Sequence, residues 1–117
     1  MITRRTLFSI GLSIGATLAV ICASAVARSD DDSYAVTING GRFEPAEILV
    51  PAGRKLTLVV KNLDATASEF ESTDLGREKV VTPNSTVTVF IGPLRAGRYE
   101  FFDDFKPDTP HGYIVAQ

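Results

Sequence analysis

The sequence predicts an all-β domain, a Greek-key β-sandwich or small barrel, following a short N-terminal leader. Three observations carry this. Apolar residues alternate with period two in several short runs. Gly- and Pro-containing turn signals recur about every 8–12 residues. No window carries the apolar stripe of an amphipathic helix, and no internal repeat is present.

The elements follow in order. Tyr34, Val36 and Ile38 fall on one face of a first strand, which Asn39-Gly40-Gly41 closes as a turn. Ile48 and Val50 form another, stopped by Pro51-Ala52-Gly53. Leu56, Leu58 and Val60 alternate with Thr57, Val59 and Lys61 in a strand buried mainly on one side. Glu69 and Glu71, two apart, share a face of any extended segment that holds them. Thr86 to Phe90 is β-branched or aromatic and ends at Gly92-Pro93. Tyr99, Phe101 and Asp103 share one face of the next strand, and Tyr113-Ile114-Val115 form the last. Leu75 to Val81 reads as a short helical turn or an irregular loop. The count expected is six or seven strands.

Composition narrows the function classes. The chain has 117 residues, room for one small domain, and carries 12 Lys+Arg against 14 Asp+Glu for a formal net charge of -2. This mild acidity argues against nucleic-acid binding, which needs a basic patch. One Cys excludes an intramolecular disulfide and a thiolate zinc cluster, and one His excludes a multi-histidine metal site. Hydrophobic residues at 44% are too many for a disordered chain.

Residues 1–27 read as an export signal. Arg4 and Arg5 form a basic start, Leu7 to Ala23 carries no charge, and Ala25-Val26-Ala27 supplies a small-x-small cleavage pattern. An uncleaved anchor is the alternative, at the short limit of a bilayer span. Thr3-Arg4-Arg5-Thr6-Leu7-Phe8 is similar to a twin-arginine signal, so export by the Sec or the twin-arginine route to the periplasm is expected. Bulky Ile21 before Cys22 argues against lipidation. Cleavage would remove Arg4 and Arg5 and leave 10 basic against 14 acidic residues, with no Cys, Met or Trp. Residues 28–33 form an acidic linker, and 34–117 the domain.

The chemistry-bearing residues are acidic. Glu69 and Glu71 form one group, Asp103 and Asp104 another, with Asp108 and the lone His111 shortly after. Carboxylates with an imidazole suit iron, copper(II) or manganese. Solvated loop charges are the plain alternative. Phe70, Phe101, Phe102 and Phe105 interleave with the acids as core packing, as a dry wall beside a metal, or as both. Arg77-Glu78-Lys79 reads as a charged turn.

Phe43 to Gly53, and Leu94 to Phe102 with Gly97 and Tyr99, resemble the copper-protein fold called cupredoxin. Glu69-Phe70-Glu71-Ser72, Arg77-Glu78-Lys79-Val80 and Tyr99 to Phe105 are similar to the cupredoxin-like domains of bacterial periplasmic iron uptake. These are the EfeO-type domain and the FtrB-type protein that works beside a high-affinity iron permease. The resemblance spans residues 34 to 117.

In a blue-copper member the first His would stand at Glu69, the Cys at Asp103, the second His at Lys106 and the axial Met near His111. The resemblance therefore implies no blue site, since the thiolate is missing. In the iron-uptake type, Glu69 and Asp103 match the metal ligands, but Lys106 stands where a His is usual. Three outcomes are open: His111 supplies the imidazole, the site is weaker, or Lys106 neutralises the carboxylates and the site is lost. Glu71, Glu78, Asp104 and Asp108 are candidates for a second, all-oxygen iron site. The expected cofactors are copper and/or iron, and the expected partners an iron permease and other periplasmic iron-uptake components. Nucleic acid is not expected, and the membrane only through a partner or an uncleaved leader. The expected role is assistance in ferrous iron oxidation or iron delivery. A metal-free cupredoxin-fold module docking on a partner is the alternative, while about 90 residues leave little room for a hydrolase cleft.

Overall fold

A computed structural model of the chain describes residues 32–117. The proposed leader (1–27) and most of the proposed linker lie outside the described residues. Nine strands and no helix occupy the described part: β1 (Ser33–Asn39), β2 (Arg42–Glu44), β3 (Glu47–Val50), β4 (Leu56–Asn62), β5 (Ser68–Ser72), β6 (Arg77–Val81), β7 (Thr86–Ile91), β8 (Gly97–Asp103) and β9 (Gly112–Ala116). They form a four-stranded sheet, β2-β1-β4-β7, and a five-stranded sheet, β3-β9-β8-β5-β6. The β1–β4 and β3–β9 pairs are parallel, the other ladders antiparallel.

Period-two alternation decides which side chains are inside. Val36 and Ile38 of β1, and Leu56, Leu58 and Val60 of β4, are buried on the inner face of the smaller sheet. Ile48, Val50, Phe70, Val81, Phe101 and Ile114 meet them from the larger one. Phe101 ties the sheets together. Its ring meets Phe43 of β2 edge-on at 4.8 Å and Phe70 of β5 at 5.1 Å. Such pairs add about 0.5–1.5 kcal/mol beyond the area they bury.

Gly112 on β9 lies directly under the Phe101 ring, and a Cβ there would collide with it. The β1–β2 hairpin turns on Gly40 and Gly41, both at positive φ, as a two-residue loop between paired Asn39 and Arg42 requires. Asp64 accepts both glycine N–H groups, at 2.7 and 2.9 Å, and ties this turn to the segment after β4.

The expected turn or loop over Leu75 to Val81 is instead a turn followed by strand β6. Its charges follow from its place at the edge of the larger sheet, where Lys79 stands on the inward side opposite Phe70 and blunts the free edge. This strand and the three-residue β2 raise the count above the six or seven expected. No helix among the described residues is long and apolar enough to cross a membrane.

Candidate metal centre

The ends of β5 and β8 carry most of the candidate residues, and the pleat divides them between the two faces of the larger sheet. Along β5 the burial alternates strictly. Ser68, Phe70 and Ser72 are buried, while Glu69 and Glu71 are half-buried on the outer face. Along β8, Phe101 and Asp103 point inward, Phe102 points outward, and Asp104 just beyond the strand is exposed. β5 and β8 pair with Phe70 opposite Asp103, and the Asp104 N–H extends the ladder to the Glu69 carbonyl at 3.0 Å.

On the outer face Glu69, Glu71 and Asp104 converge, each offering one carboxylate oxygen within 4.8 Å of the others. Glu78 stands directly across from Glu71 in the β5–β6 ladder. The pKa of Glu69 is raised from its ordinary 4.5 by partial desolvation first, then by Glu78, Asp104 and Asp103. That of Glu71 is raised in the same way, by desolvation first and then by Asp104, Glu69 and Glu78. Glu69 and Glu71 thus hold their protons more tightly than isolated glutamates, because desolvation and the neighbouring carboxylates disfavour their charged forms.

The inner face is different. Asp103 is only 2% exposed. Its Oδ1 accepts the N–H groups of Glu69 and Phe105, both at 3.0 Å, while its Oδ2 has no hydrogen-bond partner. Lys106 Nζ is the nearest cation, 3.9 Å from that oxygen. A one-turn loop brings it there: Lys106 N–H donates to the Asp103 carbonyl, and Thr109 donates to the Lys106 carbonyl through both its N–H and its hydroxyl.

The remaining candidates lie elsewhere. His111 is stacked on Phe102 at 5.2 Å, and its Nδ1 lies 2.9 Å from Glu100 Oε1. The other oxygen of Glu100 accepts from Tyr113 Oη at 3.3 Å. His111 thus belongs to a β8–β9 cluster and faces away from Asp103, which is turned inward. Asp108 is exposed in the 104–111 loop. The structure brings Glu69, Glu71 and Asp104 together beside Glu78, and leaves Asp103, His111 and Asp108 each in a separate setting.

Two residues escaped the sequence reading. Ser68, and not Glu69, faces inward at the end of β5; the signal was its parity with Phe70. Asn62, fully buried, donates from Nδ2 to the carbonyls of Thr66 at 2.9 Å and Val81 at 3.1 Å, and its Oδ1 accepts from Asp64 N–H at 2.9 Å. It shapes the 63–67 segment that leads into β5. A groove of about 530 Å³ lined by Lys55, Arg77 and Phe90 lies beside β4 and β7, away from the carboxylates.

The profile of the Cupredoxin-like domain family matches residues 11–116. An uncharacterized protein of Rickettsia prowazekii (strain Madrid E) is 42% identical over 80 residues; the match covers 68% of this chain, and the chain spans only 64% of that protein's length. Among solved structures, the metal-binding domain of the Streptococcus pneumoniae D39 Cu(I)-exporting P-type ATPase CopA, with Cu(I), is similar at a TM-score of 0.65 and 16% identity. That match covers 73% of this chain and 84% of the other. Auracyanin A, a "blue" copper protein of Chloroflexus aurantiacus, is similar at a TM-score of 0.63 and 18% identity, covering 73% and 98%. At these identities the likeness concerns the fold.

Proposed function

The chain belongs to the cupredoxin-like domain family, and we propose that it is an exported metal-binding protein that serves bacterial iron acquisition from the periplasm. The single observation that carries this reading is the convergence of Glu69, Glu71 and Asp104 within 4.8 Å beside Glu78. The motifs around these residues resemble those of the periplasmic iron-uptake type, which supports the same reading.

The metal of a blue-copper cupredoxin does not fit the described residues. A blue site needs a thiolate, and Cys22, the only Cys, lies outside the described residues. The inward position on β8 holds the Asp103 carboxylate, with the Lys106 ammonium 3.9 Å away. A protonated amine has no lone pair to donate.

Hard oxygen donors suit Cu(II) and iron as bound cargo. Carboxylates favour Fe(III) over Fe(II), so iron held on Glu69, Glu71 and Asp104 is easier to oxidise and harder to reduce. In this reading another component of the uptake system accepts the electron, and an iron permease receives the ferric ion. The outer face of the larger sheet, open to solvent at Asp104, allows such a transfer without unfolding the domain.

A metal-free docking module is the second reading, favoured by the Lys106 ammonium beside Asp103. Calorimetric titration with Cu(II), then with Fe(III) held by a weak chelator, separates the two. The metal reading expects about one equivalent bound and a melting temperature that rises with metal concentration, as for any ligand selective for the folded state. No heat of binding and an unmoved melting temperature would refute it and favour the docking module.

A further inference from the structure

Lys106 Nζ lies among four oxygens: Thr66 Oγ1 at 2.8 Å, the Ala67 carbonyl at 3.4 Å, Ser68 Oγ at 3.5 Å and Asp103 Oδ2 at 3.9 Å. Only the first is at ordinary hydrogen-bond length, so the ammonium sits loosely in a space lined by oxygen. Asp103 Oδ2 is buried and has no hydrogen-bond partner, which makes it the strongest claimant for positive charge there. The other oxygen of the same carboxylate is pinned by two backbone N–H groups, so Oδ2 cannot turn away to find a partner. The Lys106 side chain is 29% exposed, and its stem enters from the surface.

We infer that Thr66, Ala67, Ser68 and Asp103 form an all-oxygen cation cradle whose tethered occupant is the Lys106 ammonium, and that Lys106 excludes hard metal cations from it. One carboxylate, two hydroxyls and one carbonyl are the donors that Ca²⁺ or Mn²⁺ takes. The lysine competes with two advantages. Its tether gives it an effective concentration on the order of millimolar. Its charge also repels an arriving dication. The cradle is distinct from the outer carboxylates and does not rest on their binding metal, since Glu69 and Asp104 turn to the opposite face from their neighbours Ser68 and Asp103.

The test uses Mn²⁺ as probe in a chain whose outer site is removed by Glu69→Gln, Glu71→Gln and Asp104→Asn. That background is expected to bind no stoichiometric Mn²⁺ by electron paramagnetic resonance titration. Adding Lys106→Met is expected to create one site, at least about tenfold tighter than any residual binding, with a melting temperature that climbs with Mn²⁺. Adding Asp103→Asn as well should abolish it. Failure of the Lys106→Met chain to gain a site, or persistence of the site without the Asp103 carboxylate, overturns the inference. A measurement on the unaltered protein decides the matter if Lys106→Met does not fold. Lys106 should acetylate about tenfold more slowly than exposed Lys55, and Asp103→Asn should erase most of that protection. Equal rates for the two lysines in the unaltered chain would contradict the cradle.

Discussion

Ser68 and Glu69, and again Asp103 and Asp104, are chain neighbours that end on opposite faces of one sheet, and the two faces handle negative charge in opposite ways. Inside, a single carboxylate is held by two backbone N–H groups and faced by one ammonium. Outside, Glu69, Glu71 and Asp104 crowd together with Glu78 across the ladder, and the pKa values of Glu69 and Glu71 rise. Among the described residues, Lys106 faces the inner carboxylate, whereas no Lys, Arg or His forms an ion pair with Glu69, Glu71, Glu78 or Asp104. Acidic residues adjacent in sequence are therefore not one site. The pleat makes them a structural anchor on one side and an open ligand set on the other.

The largest expected effect comes from breaking the inner face. Asp103→Ala removes the acceptor of two N–H groups and leaves the Lys106 ammonium without its carboxylate, at a cost of about 2–4 kcal/mol in urea denaturation. Asp103→Asn keeps an acceptor oxygen and should lose less than half as much. Equal losses would mean that the charge, and not the acceptor, anchors the loop.

Next in size is Gly112→Ala, whose methyl group enters the space of the Phe101 ring behind Asp103. Displacing a ring that touches both Phe43 and Phe70 should cost about 1–3 kcal/mol. A Phe101→Leu change in the same chain should make the alanine cheaper. An unchanged penalty would show that the strain lies in the β9 backbone.

The smallest effect is on the outer face and appears as a pH dependence. Glu69 and Glu71 have raised pKa values when folded, so the native state binds more protons than the unfolded chain. Their contribution is least unfavourable below the ordinary value of 4.5 and becomes more unfavourable as pH rises through the raised value. Without metal, Glu69→Gln/Glu71→Gln should therefore melt higher than the parent at pH 7, and the gap should close on acidification. Asp64 has the opposite sign. The Gly41 and then the Gly40 N–H hold its carboxyl below the ordinary 3.8, so its stabilisation is present near neutrality and is lost as pH falls through that lowered value. A gap between Glu69→Gln/Glu71→Gln and the parent that widens in acid would contradict the desolvation and mutual repulsion assigned to the outer glutamates.

The same alternation explains what the sequence made legible. Val36/Ile38, Leu56/Leu58/Val60 and Phe101/Asp103 show their inner face by parity alone, and Asn39-Gly40-Gly41 announces its turn. The pairing of Glu69 with Glu71 is equally visible. Strand β6 was not, because Arg77, Glu78 and Lys79 put charge on both parities, as an edge strand tolerates. Asp104 joins the glutamates only through the β5–β8 register, a contact between residues more than thirty apart that no local pattern encodes. Sequence proximity suggests His111 as the imidazole for Glu69 and Asp103, but its contact with Glu100 on the neighbouring strand is invisible in sequence, and Asn62 reads as an ordinary strand end although it organises three carbonyls and a turn. Ser68 was overshadowed by the acid beside it.

The most direct test of the account is a Cu(II)-dependent thermal shift measured on three chains: the parent, Glu71→Gln/Asp104→Asn, and Asp103→Asn. If the open ligand set is on the outer face, Cu(II) raises the melting temperature of the parent and of Asp103→Asn alike and leaves Glu71→Gln/Asp104→Asn unmoved. A shift that survives loss of Glu71 and Asp104 but vanishes with Asp103 would place the metal on the inner face and contradict the account.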